Sequence, residues 1–262
     1  MEAPITRTPY LACPLCDGLE NTEVMVADCS HHPLFQPSLA RQRWVRCRQC
    51  GHIHVDGYFG PDAARRLFAA TQADMLPGHD MENQRNAWSR LIETVSALLG
   101  NRSGRWLDVG FGSGSLLTTA AEYGYSVTGL DLRPENVRIL QLYDLDVRHT
   151  AFEDYAPEQA LDVISMADVL EHMPFPLVAL YQAADLLRMG GLLMLSMPNA
   201  DSFVWRVLNE NHANPYWGEI EHYHNFGRKR LESLLQECGF EPVHFGVSPR
   251  YRVGMEIVAR KR

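Results

Sequence analysis

The sequence contains 262 residues, 46% of them hydrophobic and 21% charged, and has a formal net charge of −8 at pH 7. This length suits one α/β domain with a small additional module, and the acidic balance disfavours nucleic acid as a partner despite a basic run at residues 228–230. No apolar run is long enough to span a membrane and the N-terminus lacks a signal-peptide pattern, so we expect a cytoplasmic protein.

Residues 1–60 form the first predicted domain, a small zinc-ribbon module. They contain two Cys-x-x-Cys pairs with 30 residues between them, and short alternating segments typical of β-hairpins. Four thiolates arranged in such pairs suit a closed tetrahedral Zn²⁺ site, which is structural and leaves no open position for chemistry. The insert also contains Cys29, His31 and His32, any of which could replace one ligand. The predicted ligands are Cys13, Cys16, Cys47 and Cys50.

Residues 61–100 form the second predicted domain, a helical linker or lid. Apolar residues recur there at helical spacing, and Gly100 provides a stop signal. From residue 105 onward, strand-like and helix-like segments alternate, which predicts a doubly wound parallel sheet. Residues 101–262 therefore form the third predicted domain, which has an α/β fold.

The first strand of this domain leads into a glycine-rich loop, RWLDVGFGSG at residues 105–114. A dinucleotide-binding fingerprint needs a glycine five positions after Gly110, where Ser115 stands. A phosphate-binding P-loop needs a Gly-Lys-Ser/Thr segment, which does not follow either. The motif Asp-x-Gly-x-Gly-x-Gly, which begins at Asp108, resembles motif I of the class I S-adenosylmethionine-dependent methyltransferases.

The resemblance covers residues 105–197 and implies a Rossmann-like, doubly wound, mostly parallel seven-stranded sheet that binds S-adenosylmethionine. Asp131 ends the next strand, 21 positions after the first glycine, where an acid can accept both ribose hydroxyls; alternatively, it caps the following helix. After the third strand, Phe152 is expected at the adenine, with Glu153 or Asp154 near the exocyclic amine. The implied cofactor contacts are Asp108, Gly110, Gly112, Gly114, Asp131, Leu132, Phe152, Glu153, Ala167 and Asp168.

A polar cluster follows the fourth predicted strand. Asp168, Glu171 and His172 have the i, i+3, i+4 spacing that places three side chains on one side of a helical turn. Such a set could bind a divalent cation that lowers the pKa of a substrate hydroxyl. The ubiquinone-pathway O-methyltransferases show a similar acid-x-x-Glu-His arrangement, and that resemblance implies a metal. The alternative is that Glu171 and His172 orient the helix and the neighbouring loops.

A second cluster lies in the segment NPYWGEIEHYHNFG at residues 214–227. Its aromatic residues and histidines lack apolar periodicity, which favours a lid and an acceptor pocket. His222 or His224 could take the proton from an acceptor atom. A Glu-His-x-x-x-Phe stretch occupies this place in the resembling enzymes, which favours His222. The alternative for each is a hydrogen bond between loops.

The leading hypothesis is an enzyme that transfers a methyl group from S-adenosylmethionine to an oxygen of a small-molecule acceptor, with nitrogen or carbon less favoured. Acceptors of this class include sugars, natural products and cell-surface metabolites. In-line displacement needs an aligned acceptor and, where required, a general base, for which His222, His172, Glu171 and His224 are the candidates. The alternative is an RNA-modifying methyltransferase that binds RNA through its zinc ribbon. A non-catalytic partner protein is disfavoured by the intact motif I and Asp131. Oligomeric state is not indicated.

Overall fold

The computed structural model of the chain describes residues 5–30, 40–71, 75–251 and 253–262. The chain divides into two compact units. The first unit comprises Met1–Ala73, Glu171–Leu177 and Pro198–Leu231, and the second comprises Asp74–Leu170, Val178–Met197 and Glu232–Arg262. In the described part of the chain, no helix has the length and apolar character that a membrane crossing requires.

The elements follow one another in mixed order. The strands are β1 (Arg7–Pro9), β2 (Asn21–Asp28), β3 (Arg41–Cys47), β4 (Ile53–Val55), β5 (Gly57–Phe59), β6 (Arg105–Val109), β7 (Ser126–Asp131), β8 (Asp146–His149), β9 (Leu161–Ala167), β10 (Leu187–Pro198), β11 (His224–Asn225), β12 (Phe240–Val247) and β13 (Gly254–Lys261). The helices are α1 (Pro61–Thr71), α2 (Met81–Leu99), α3 (Ser115–Glu122), α4 (Pro134–Gln141), α5 (Pro176–Leu186), α6 (Phe203–Glu210) and α7 (Arg228–Glu237).

The first unit is built on an antiparallel sheet of order β11-β4-β3-β2 and a small β1-β5 ladder. Strand β11 comes from far along the chain, and it places His224 opposite His54. The apolar core beside this sheet likewise combines Trp44 from β3 with Trp217 and Tyr223 from the later segment. The sequence-based boundaries at residues 60 and 100 are therefore not those of the structure, because the N-terminal sheet is completed by residues 224–225.

The second unit contains a seven-stranded sheet of order β12-β13-β10-β9-β6-β7-β8. Strands β10, β9, β6, β7 and β8 pair in parallel, and β12 and β13 pair antiparallel to each other. This arrangement confirms the predicted Rossmann-like, mostly parallel α/β fold. The carboxyl ends of β6, β7 and β9 lead into the loops that carry the predicted donor-site residues, as expected for an open parallel sheet.

Helix α2 covers part of this core with the predicted apolar face. Trp88, Leu91, Ile92 and Val95 are buried at helical spacing, and they join a cluster that includes Trp106 on β6. The helix ends at Gly100, which adopts φ 74° and donates its N–H to the last turn. The stop signal read from the sequence is thus the observed helix end.

Candidate functional site

The glycine loop joins β6 to α3 through three residues with left-handed backbone. Gly110, Gly112 and Gly114 have φ values of 66°, 59° and 83°, which only glycine adopts without strain. A Cβ on Gly110 would lie 2.7 Å from Val169 Cγ2, and one on Gly114 would lie 2.6 Å from Leu140 Cδ1. The glycines are required both by conformation and by close packing.

Asp131 ties the end of β7 to this loop. Its carboxylate is 4% exposed; Oδ2 accepts a hydrogen bond from the Gly112 N–H at 3.0 Å and Oδ1 accepts one from the Arg133 N–H at 2.8 Å. The Arg133 guanidinium also contacts it at 3.0 Å. Helix α4 has Arg133 as its N-cap residue, without a side-chain capping bond. Asp131 therefore organises the glycine loop and does not cap α4.

Asp108 on β6 is a buried carboxylate with one oxygen engaged. Ser165 Oγ donates to Oδ1 at 2.6 Å and itself accepts from Trp106 Nε1 at 2.8 Å. Oδ2 is buried and has no hydrogen-bond partner among the described residues. Burial raises the pKa of Asp108 to about 7, the Ser165 hydrogen bond opposes that rise, and Asp131 adds to it. An oxygen of this kind suits a cationic ligand group, which would supply the missing partner.

The geometry predicted for Asp168, Glu171 and His172 is wrong. Asp168 adopts φ 54°, and a 3₁₀ turn covers only Leu170–His172. No helical turn therefore spans the three side chains, because the left-handed residue interrupts the helical path that the i, i+3, i+4 spacing assumes.

Two residues that the sequence analysis missed engage both carboxylate oxygens of Asp168. Arg250 Nη1 donates to Oδ2 at 2.6 Å and the Tyr251 hydroxyl donates to Oδ1 at 2.7 Å. Arg250 also donates to Ser196 Oγ at 2.6 Å and lies 4.4 Å over the Trp88 ring. The only sequence signal is an arginine and a tyrosine in the turn between the last two strands. Asp168 is thus an ion-pair partner in this structure.

The remaining predicted cofactor residues lie in the second unit with different exposure. Phe152 is buried at 3% exposure in a 3₁₀ turn that also contains Glu153. Glu153 is exposed, and Leu132 is 36% exposed after β7. Ala167 is half-buried at the end of β9. Ala167 ends its strand, and the other positions follow β7 or β8.

Three of the predicted catalytic residues cluster in the first unit. One ligand atom from each of Glu171, His172 and His222 lies within 4.8 Å of the other two. His172 Nδ1 bonds the Glu221 carbonyl at 3.0 Å, which orients its ring, and the two imidazoles meet edge to face with centroids 4.5 Å apart. Burial lowers the pKa of His222 well below its ordinary value, and His172 and His224 lower it further. His222 is therefore neutral at pH 7.

His224 has both ring nitrogens engaged. Nε2 lies 3.0 Å from the Met173 carbonyl, and Nδ1 lies 3.0 Å from His52 Nε2. Because a carbonyl only accepts, Nε2 carries the proton and Nδ1 accepts from His52. Burial, followed by His54, lowers the pKa of His224 to about 3, against a rise from the backbone carbonyls. By contrast, His222 Nδ1 is buried without a hydrogen-bond partner among the described residues.

The four predicted metal-binding cysteines also cluster. One Sγ atom from each lies within 4.8 Å of the others, with 3.8 Å between Cys13 and Cys50 and 3.6 Å between Cys16 and Cys47. Burial raises the pKa values of Cys13 and Cys16. Burial also raises that of Cys47, but hydrogen bonds from the backbone of Cys50 and Gln49, together with those from the Cys16 and Cys13 side chains, lower its net value. Backbone donors that stabilise thiolate suit a site that holds a metal through sulfur.

Of the alternative metal ligands named from the sequence, only Cys29 lies among the described residues. Cys29 is buried in the apolar core of the first unit, and burial raises its pKa to about 11 despite the lowering effect of Arg7. It is not in the four-cysteine group. His31 and His32 lie outside the described residues.

Comparison with known proteins decides the family. A model of the family described as "Methyltransferase domain" matches residues 81–245, which is more than half of the chain. The chain belongs to this methyltransferase family. The matched range contains both Asp108 and His222, one from each structural unit.

The curated relatives of this methyltransferase match over part of their length. The ubiquinone biosynthesis O-methyltransferase of Xanthomonas axonopodis pv. citri is 40% identical over 116 residues, which are 41% of this chain and 48% of the relative. That of Xanthomonas euvesicatoria pv. vesicatoria is 39% identical over the same length. The chain spans about half the length of the curated relatives it matches.

Solved structures support the fold of the methyltransferase. The 1,6-didemethyltoxoflavin-N1-methyltransferase of Burkholderia thailandensis, with bound S-adenosylhomocysteine, has a TM-score of 0.60 at 22% identity, covering 83% of this chain and 95% of that one. The magnesium protoporphyrin IX methyltransferase of Synechocystis PCC 6803 has a TM-score of 0.60 at 19% identity, covering 78% and 100%. These likenesses agree in fold with the methyltransferase family that the sequence match assigns.

Proposed function

We propose that this enzyme methylates an oxygen of a small-molecule acceptor, such as a sugar, natural product or cell-surface metabolite, with His222 as the general base. The observation that carries the proposal is the neutral, buried imidazole of His222, whose Nδ1 has no hydrogen-bond partner among the described residues. An oxygen acceptor must lose a proton as it is methylated, and an unprotonated imidazole can receive it. The relatives named as O-methyltransferases support oxygen as the acceptor atom.

The donor side is proposed to rest on Asp108, Asp131 and the glycine loop. Bound S-adenosylmethionine supplies an activated methyl group on a sulfonium. Its ammonium group fits the buried, unpartnered Oδ2 of Asp108. Its ribose hydroxyls are assigned to the carboxylate of Asp131, where they would replace the Arg133 guanidinium and leave the hydrogen bond from the glycine loop in place. Glycine at 110, 112 and 114 lets the backbone approach the ligand without side chains.

The supporting roles are divided among neighbouring side chains. His172 and Glu171 lie beside His222, and we assign them to hold its ring and to stabilise the imidazolium that proton transfer would create. His224, with both nitrogens engaged, is assigned to holding residues 214–227, the histidine segment, in place. The proposed cofactor contacts are completed at the ends of β7, β8 and β9, or in the loops that follow them, by Leu132, Phe152, Glu153, Ala167 and Asp168.

The four-cysteine cluster is proposed to hold one structural Zn²⁺. Four sulfur ligands leave no coordination position for a substrate, so the ion would act on folding only. The backbone donors to Cys47 support this assignment, because they stabilise the thiolate form that a metal requires.

Transfer of radiolabelled methyl from S-adenosylmethionine into fractionated cell extract tests the proposed acceptor class. Label in the small-molecule or glycan fraction, absent with the His222→Ala enzyme, is the expected result. Label confined to RNA would replace the proposed acceptor by a nucleic acid. Treating the product with mild base separates labile methyl esters from stable methyl ethers and therefore reports the kind of oxygen methylated.

Replacing Asp131 with alanine is expected to weaken the affinity for S-adenosylhomocysteine by about 10- to 100-fold. The change removes the ribose acceptor and the hydrogen bond to Gly112, and hydrogen bonds to a charged group contribute about 1.5–3 kcal/mol each. Isothermal titration calorimetry measures the effect. Asp146→Ala is the matched control, because the side chain of Asp146 is half-exposed on β8 and forms an ion pair with Arg148. Equal affinity for Asp131→Ala and the unchanged enzyme would remove the ribose assignment.

The affinity for S-adenosylhomocysteine is expected to fall as the pH drops below about 7. The pKa of Asp108 in the free protein is about 7, chiefly through burial. Below that pH the carboxyl group must therefore lose a proton when the ammonium group binds. The loss approaches about tenfold per pH unit. In the absence of ligand, the free energy of unfolding depends on pH in the opposite direction. The raised pKa of Asp108 stabilises the folded state at low pH, and this stabilisation is lost as the pH rises from about 4 to 7.

Calorimetry between pH 5 and 8 measures this dependence, and Asp108→Asn is the comparison. The amide has a similar shape and does not titrate, so its weaker binding should be flat with pH. A slope that persists in Asp108→Asn would assign the titration to another group.

A further inference from the structure

Gln42 on β3 is a buried amide that contacts the histidine segment. The residue is 1% exposed. Its Nε2 donates to the Glu219 carbonyl at 3.0 Å and to the His222 carbonyl at 3.3 Å. Its Oε1 accepts from the Arg7 guanidinium. Both polar atoms of the side-chain amide are thus hydrogen-bonded, and Nε2 contacts the backbone of the proposed base.

Other residues of the first 60 hold the same segment in the same way. Trp44 Nε1 donates to the Trp217 carbonyl at 2.8 Å, and Arg7 donates to the Ile220 carbonyl at 3.1 Å. The Val55 N–H donates to the Tyr223 carbonyl at 3.0 Å. Only a short 3₁₀ turn and the two-residue β11 are regular between residues 215 and 225. These donors therefore replace the hydrogen bonds that a helix or strand would supply to buried carbonyls.

Strand β3, which carries Gln42 and Trp44, also carries a cysteine of the four-cysteine cluster. Gln42 and Trp44 are two positions apart on β3 and therefore share one face of the sheet. The same strand ends at Cys47. Arg43, which lies between them, points the other way and forms an exposed ion pair with Glu23. Strand β3 thus connects the cysteine cluster to two of the side chains that bind the histidine segment.

We propose that Gln42, assisted by Trp44 and Arg7, is a positioning residue that fixes the backbone at 217–223 and with it the ring of His222. The inference rests on the proposed role of His222. It assigns the support of the proposed base to the cysteine-containing module. The amide is needed as such: a glutamate could still accept from Arg7, but it would turn an oxygen toward the two carbonyls.

Gln42→Glu and Gln42→Met test the inference, with Arg43→Ala as the matched control on the opposite face of β3. Hydrogen–deuterium exchange at residues 217–223 should accelerate about tenfold or more in both Gln42 variants, because a net hydrogen bond of about 1.4 kcal/mol corresponds to tenfold. kcat should fall by a similar factor or more. The KM for S-adenosylmethionine and the affinity for S-adenosylhomocysteine should stay unchanged. Arg43→Ala should match the unchanged enzyme.

The outcomes separate this inference from the proposed function. Unchanged exchange at 217–223 together with unchanged kcat would overturn the positioning role. Suppose instead that exchange is faster in the Gln42 variants while His222→Ala is fully active. Gln42 would then hold the backbone at 217–223 but would have no role in catalysis, and the proposed function of His222 would be wrong. If Gln42→Met loses protection throughout the first unit, Gln42→Glu, which keeps the Arg7 contact, is the variant that decides.

Discussion

Replacing His222 with alanine is expected to lower kcat by about 10²- to 10⁴-fold, the contribution typical of a general base. The imidazole is buried and neutral, because burial lowers its pKa well below the ordinary value. It is therefore in the proton-accepting form throughout the neutral range. The affinity for S-adenosylhomocysteine should not change, since Asp108 and Asp131 remain. Steady-state kinetics and calorimetry together measure both quantities.

The control for this prediction is His212→Ala, which removes an exposed histidine from the loop after α6 and should leave kcat unchanged. An unchanged kcat in His222→Ala would mean that the acceptor loses its proton without this residue. Activity that requires added Mg²⁺ or Mn²⁺, and loses that response in His222→Ala, would instead make Glu171, His172 and His222 a metal site. That set differs from the one read from the sequence, because Arg250 and Tyr251 occupy both oxygens of Asp168.

Removing Zn²⁺ is expected to unfold the first unit. Structural zinc contributes apparent binding free energies of about 10–16 kcal/mol in zinc-finger peptides, so its loss outweighs the stability of a small module. Strands β2, β3 and β4 depend on the cysteine cluster through Cys47, and β11 pairs with β4. We therefore expect the histidine segment to lose its exchange protection as well. S-adenosylhomocysteine binding should persist, since Asp108 and Asp131 belong to the second unit.

Elemental analysis of the purified enzyme and exchange measurements on Cys16→Ser check this prediction. The native enzyme should contain about one zinc per chain, and the variant should contain much less. Cys238→Ser is the control, because that buried cysteine is outside the four-cysteine cluster. A zinc-free native enzyme with full exchange protection in β2–β4 would contradict the assignment.

The backbone of the proposed donor site could be predicted from the sequence because its signals are local. Gly110, Gly112 and Gly114 adopt the left-handed backbone that their spacing indicates. Asp131 ends β7 as predicted, and α2 ends at Gly100. Each of these features depends on residues a few positions away, so that a single segment carries enough information to predict it.

The contacts that the sequence did not predict join residues far apart along the chain. Arg250 reaches Asp168 across 82 positions, and Gln42 reaches His222 across 180. Periodicity and turn signals report the neighbours of a residue along the chain and carry no information on such pairs. The prediction of a helical turn at Asp168 was wrong for a different reason. It assumed helical geometry, whereas the backbone of Asp168 is left-handed.

The pairing of β11 with β4 has a consequence for synthesis. During translation the ribosome completes residues 1–60 long before residues 224–225, so β4 is at first an unpaired edge of the sheet. An open edge is a template for pairing with other chains. Residues 1–60 alone therefore lack one strand of their sheet. A nascent chain that stalls before residue 224 exposes the edge of β4, which is prone to aggregation.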